Sequence, residues 1–161
     1  MIILGIDPGS TRAGYGLVKK EKHGLKFIRA GLLKISSKDK VQRLVDLEKS
    51  FSELLEKTRP DLVALEKLYF VKNIKTGMEV AESKGVLTLL VARSKIPFIE
   101  YAPSEVKAGV TGYGNADKKA VGKMVAKILG VDKINGPDDV TDALAIAITA
   151  ANQIRQKIIS K

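Results

Sequence analysis

Residues 2–6 are wholly apolar, and the run stops abruptly at Asp7-Pro8-Gly9-Ser10. Residues 62–65 repeat the pattern, bounded by Asp61 and Glu66. Runs this short, with no polar residue inside them, predict strands buried on both faces rather than helices. The chain must therefore cover both sides of a sheet, and each of the two strands closes on a carboxylate.

The remaining periodicities supply the cover. Residues 14–20 return as a second strand after the Asp-Pro-Gly-Ser turn, and residues 27–35 offer a third after the charged turn Lys20-Glu21-Lys22-His23-Gly24. Together they predict an antiparallel meander. Over 40–57, Val41, Leu44, Val45, Leu47, Phe51, Leu54 and Leu55 recur at helical spacing, and the helix stops before Pro60. Residues 76–93 read as a long helix and 97–101 as a fifth strand. A brief helix follows at 104–108, then one over 117–129 ended by Gly130, and a last one over 137–157. Three strands followed by strand–helix alternation imply an α/β fold: a five-stranded mixed sheet with helices on both faces, in one domain over 1–161.

Charge narrows the partners. The chain carries 28 Lys+Arg against 18 Asp+Glu, a net charge of +10, so its average field attracts polyanions, nucleic acid first among them. It has no cysteine, which excludes disulfides and thiolate metal sites and makes a reducing cytoplasm the expected compartment. Its N-terminus lacks the charged lead of a signal peptide, and no run approaches the roughly 20 apolar residues of a membrane span. A soluble cytoplasmic protein without membrane contact is expected.

Within this basic chain four acids stand apart. Asp7 and Glu66 close apolar strands, and Asp139 and Asp142 lie near the start of the last helix. A three-residue helical step brings Asp139 and Asp142 onto a shared face. Taken singly, Asp7 is also readable as a turn residue, Glu66 as a surface acid, and Asp138, Asp139 and Asp142 as helix-start acids. Their conjunction favours chemistry. Clustered carboxylates repel one another unless cations or protons bind among them. With oxygen ligands only and a lone His23 in a charged turn, the expected cofactor is Mg²⁺ or Mn²⁺ rather than zinc. Two such ions about 4 Å apart suit phosphodiester hydrolysis. The glycines Gly5, Gly9, Gly14 and Gly16 match neither a dinucleotide fingerprint nor a P-loop.

These residues carry a resemblance. Ile3-Leu4-Gly5-Ile6-Asp7-Pro8-Gly9-Ser10-Thr11, Ala64-Leu65-Glu66 and the stretch from Asp139-Val140-Thr141-Asp142 through Ala147-Ile148-Thr149 resemble the RuvC family of Holliday-junction resolvases along nearly the whole chain. The resemblance implies a ribonuclease-H-like fold. Its catalytic, metal-holding acids fall on Asp7, Glu66, Asp139 and Asp142, with Asp138 a one-residue alternative to Asp139. It implies a homodimer that binds a four-way DNA junction and nicks two opposing strands, with a branch-migration motor as a possible partner. It further places lysines near the cleaved backbone at Lys107 and Lys118, and a base-contacting aromatic at Tyr69, three residues after Glu66, or at Phe70. Lys72, Asn73 and Lys75 beside them suit phosphate contacts. One departure concerns the last helix: many relatives carry histidines soon after the Ala-Ile-Thr stretch, where this chain has Ala150-Ala151-Asn152.

Three other readings compete. Sugar kinases and actin-like ATPases share a similar opening but need two lobes. A small ribonuclease-H-fold family that processes ribosomal RNA precursors opens alike, and there the lysine tract after Gly112 and the Asp139-to-Thr149 stretch favour the resolvase. A junction-binding protein that does not cut is opposed by four acids, which repel phosphate unless a cation sits among them.

Overall fold

The computed structural model describes residues 1–68 and 73–159, with side chains described through 154. Ten elements follow the expected order: β1 (Ile2–Pro8), β2 (Ala13–Glu21), β3 (Gly24–Leu32), α1 (Lys40–Thr58), β4 (Leu62–Glu66), α2 (Ile74–Arg93), β5 (Phe98–Tyr101), α3 (Pro103–Thr111), α4 (Lys118–Leu129) and α5 (Asp138–Ile159). The strands form one sheet in the order β3-β2-β1-β4-β5. β2 runs antiparallel to both of its neighbours, whereas β1, β4 and β5 are parallel. The sheet is mixed for that reason, and β1 and β4 lie at its centre.

Alternation along the strands divides the core in two. Leu4, Ile6, Val63 and Leu65 face α1 and α2 and pack with Leu47, Phe51, Leu87 and Val91. Ile3 and Ala64 face the other way, onto Val106, Val121, Val125, Leu144 and Ile148 of α3, α4 and α5. A strand apolar at every position can serve two cores at once, which is why these runs carry no polar residue.

The boundaries of β1, β3 and α3 differ from the sequence expectation. β1 continues through Asp7 and Pro8, which pair with Gly14 and Ala13, so Asp7 is a strand residue rather than the first residue of a turn. β3 lies at 24–32 instead of 27–35. Its first residues, Gly24, Leu25 and Lys26, pair with Glu21, Lys20 and Lys19. As an edge strand its opening is half polar and lacks an apolar signature, and it leaves the sheet where β2 begins. α3 also runs to Thr111, longer than expected. The Glu105 carboxylate accepts the Ala102 N–H at 2.6 Å, and Gly112 ends the helix in the left-handed region at φ 81°.

α5 crosses the sheet against β1 and β2 at glycines. A Cβ on Gly5 would lie 2.1 Å from the Ala143 carbonyl oxygen and 2.7 Å from the Ala147 nitrogen; one on Gly14 would lie 2.0 Å from the Asp139 carbonyl oxygen. Helix backbone and strand backbone are in direct contact there. We therefore expect Gly5→Ala to destabilise the fold by about 2–3 kcal/mol through overpacking. Urea unfolding checks this, and an unchanged midpoint would show that α5 can lift off β1 freely.

Candidate active site

Each of the four acids is placed by the backbone that carries it. Asp7 and Glu66 occupy the C-terminal ends of adjacent parallel strands, paired through Gly5–Ala64 and Ile6–Leu65. Asp139 and Asp142 ride on the first turns of α5, held over β2 by the backbone contact at Gly14. Lys118 opens α4, because the Asp117 carboxylate accepts the Ala120 N–H at 2.7 Å and caps the helix.

Charge couples these groups. Burial, then repulsion from Glu66, Asp142 and Asp139, pushes the Asp7 carboxyl up to about 7 against the opposing pull of Lys118. Burial and Asp142 raise Glu66, opposed by Lys118, Lys84 and Lys107. Burial also raises Asp142, against the pull of Lys118. The Lys118 ammonium is raised in turn, chiefly by Asp142 and then by Asp138. Glu66, Asp142, Lys107 and Lys118 line a single cavity of about 290 Å³, floored by Val106, Ala145 and Ile146.

The two helix acids take different partners. Asp142 lies 3.6 Å from the Lys118 ammonium, which also meets Asp138 at 3.5 Å. Asp139 turns instead to Arg12, at 3.4 Å. The shared face expected for Asp139 and Asp142 is therefore divided between two cations. The Asp139 side chain is 22% exposed and acts on both Asp7 and Asp142, whereas Asp138 is 81% exposed and acts on Lys118 and Asp142 but is not among the groups that shift Asp7.

The donor set suits a hard divalent cation: every ligand atom is a carboxylate oxygen, and a buried carboxyl driven up to about 7 gains from a neighbouring positive charge. As the side chains stand, no three His, Cys, Asp or Glu groups among the described residues are close enough to share one ion. Arg12 holds the Asp139 carboxylate and Lys118 that of Asp142.

Of the other expected contacts, Lys107 lies in the cavity wall. Asn73 caps α2, its side chain accepting the Thr76 N–H at 3.3 Å, and Lys75 is exposed in the first turn of that helix. Tyr69, Phe70 and Lys72 lie outside the described residues. Sequence reasoning passed over Arg12 and Lys84. Arg12 sits in the β1–β2 turn and meets Asp139 only through the fold, so no local pattern marks it. Lys84 pairs with Glu100 across α2 and β5. The Asp138–Asp142 step of four residues was a readable hint that one lysine bridges both.

A mixed sheet in this strand order, with acids on its two central strands and on the helix crossing them, is a ribonuclease-H-like fold bearing an acidic cleft. A family model described as crossover junction endodeoxyribonuclease RuvC matches residues 3–150, and the chain belongs to that family. The crossover junction endodeoxyribonuclease RuvC of Natranaerobius thermophilus is 42% identical over 156 residues, covering 96% of this chain and 97% of that one. Its counterpart in Alkaliphilus metalliredigens is 44% identical over 153 residues, covering 94% and 93%. Thermus thermophilus RuvC, solved in complex with Holliday junction substrate, superposes with a TM-score of 0.90 at 30% identity, over 98% of this chain and 96% of that one. These matches set aside the ribosomal-RNA-processing and kinase-like readings.

The raised Asp7 carboxyl has a consequence for stability. Between the ordinary 3.8 and about 7, folded Asp7 holds its proton more tightly than unfolded Asp7 does, so its contribution to stability falls as pH rises through that window. In chelator at pH 8, Asp7→Asn should melt above the native chain by about 1–2 kcal/mol, and the difference should vanish toward pH 4. Thermal unfolding at the two pH values checks this. A variant melting below the native chain at pH 8 would contradict the strained carboxylate.

Proposed function

We propose that this chain resolves Holliday junctions, hydrolysing one phosphodiester on each of two opposing strands, with Asp7, Glu66, Asp139 and Asp142 as the ligands of two Mg²⁺ ions per site, for which Mn²⁺ substitutes. The observation that carries the reading is the electrostatic coupling of acids from β1, β4 and α5 beside one cavity walled by Lys107 and Lys118. Asp139, the more buried of the two neighbours, is the third carboxylate, and Asp138 holds Lys118 at the mouth. Divalent ions bound there would supply positive charge to the scissile phosphate and the departing oxygen.

The chain's own groups do the rest. Its +10 charge draws the junction in, and Lys118 and Lys107 hold backbone oxygens over the acids. Lys118 suits this role because it opens α4, where the first backbone N–H groups of the helix would favour an anion beside its ammonium. Lys72, Asn73 and Lys75 contact flanking phosphates, and Tyr69, or Phe70, stacks on a base near the crossover, worth roughly 1–3 kcal/mol. The whole chain, 1–161, acts as one nuclease domain in the cytoplasm, and a branch-migration motor is a candidate partner. Among the described residues no helix is long and apolar enough to cross a membrane.

Paired nicks require two sites related by a twofold axis, hence a homodimer. On α2, Ile74, Met78 and Leu89 are exposed at helical spacing, with exposed Ala81 and Gly85 between them. This apolar stripe is the proposed dimer face. Met78→Glu with Leu89→Glu should yield a monomer in sedimentation; an unchanged dimer would move the face elsewhere.

Synthetic four-way junctions test the activity. With Mg²⁺ or Mn²⁺, the native chain should yield paired, symmetric nicks, whereas binding without product would make it a junction-binding protein. Asp7→Asn should cut at least about 100-fold more slowly while retaining junction binding in chelator. Lys118→Ala should slow cutting by about tenfold to 100-fold, and an unchanged rate at several salt concentrations would remove it from the site.

A further inference from the structure

Thr149 is fully buried in an α5 face that is otherwise apolar. Its one hydroxyl proton is shared between two acceptors, the Ala145 carbonyl within α5 at 2.9 Å and the Val106 carbonyl of α3 at 3.2 Å. One turn further along α5, the Asn152 side-chain amide donates to the Gly109 carbonyl of α3 at 3.1 Å. Between these two bonds the helices close to the limit. A Cβ on Gly109 would lie 2.5 Å from the Thr149 hydroxyl oxygen and 2.6 Å from its methyl carbon. The α3 carbonyls engaged, at 106 and 109, flank Lys107.

Apolar packing holds α3 onto α5 but is nearly indifferent to small slides, because it is non-directional. Hydrogen bonds are directional, and they fix register. A slip of one residue along α5 moves α3 by about 1.5 Å and turns its side chains by about 100° relative to α5, enough to carry Lys107 off the cavity. Val106 and Lys107 line that cavity together with Ala145 and Ile146, which belong to the turn of α5 just before Thr149.

We propose that Thr149 and Asn152 are positioning residues for Lys107: their bonds to α3 set its register along α5 and so hold the lysine over the cleft. The inference rests on the reading of Lys107 as a phosphate-holding group.

A double-mutant comparison tests this with the full chain on a synthetic four-way junction in Mg²⁺. Thr149→Val keeps the shape and deletes the hydroxyl; Asn152→Ala changes an exposed side chain and leaves the core untouched. Each should slow cutting by about fivefold in the native background and by less than about twofold in a Lys107→Ala background, whereas in a Lys118→Ala background each should keep its full effect. Melting temperatures, measured alongside, should shift equally in all backgrounds, since stability does not depend on where Lys107 points. The same rate loss with and without Lys107, or no loss at all, would overturn the inference. A Lys107→Ala chain that cuts at the native rate would instead overturn the reading of Lys107, and the inference with it.

Discussion

The direct backbone contact between α5 and the central strands is the constraint on which the site depends. Asp7 sits on β1 and Asp139 and Asp142 on a helix that begins some 130 residues later, and charges that far apart in sequence become neighbours only if helix and sheet approach without side chains between them. Gly5 and Gly14 provide that approach, with the Ala143 and Asp139 carbonyls lying where their Cβ atoms would be. The alanines and β-branched residues of α5 then fill both sides of the contact, and Leu144, Ile146 and Ile148 are fully buried.

Bringing carboxylates together in this way opposes folding. Burial and mutual repulsion raise Asp7, Glu66 and Asp142 together, and the chain partly offsets this with lysines from three separate elements, Lys84 on α2, Lys107 on α3 and Lys118 on α4, while Arg12 in the β1–β2 turn pairs with Asp139. Two of these lysines, Lys107 and Lys118, also line the cavity beside Glu66 and Asp142. Acids and lysines are thus gathered around one cavity, and strain kept at a site is a common exchange of stability for function.

Much of this was legible in the sequence, for physical reasons. Strands that serve two cores must be apolar throughout, so residues 2–6 and 62–65 announced themselves together with the acids that close them. Amphipathic periodicity gave α1, α2 and α5 to within a few residues. β3 was misplaced because an edge strand buries too little to leave an apolar pattern, and its limits are set by pairing with β2. Asp139 and Asp142 were legible as acids but not as partners of different cations, since Arg12 and Lys118 approach them from elements remote in sequence. The bonds from Thr149 and Asn152 to α3 were equally invisible: each is a contact across 43 residues that no local spacing encodes.

The account turns on a protonated carboxyl giving way to a divalent cation, and calorimetry sees that exchange directly. Mg²⁺ or Mn²⁺ titrated into the native chain near pH 7, in two buffers of different ionisation enthalpy, should show binding whose heat depends on the buffer, because Asp7, raised to about 7, releases its proton as the ion enters. Identical heats in both buffers, or no binding at millimolar ion, would contradict the claim that these acids form one cation site.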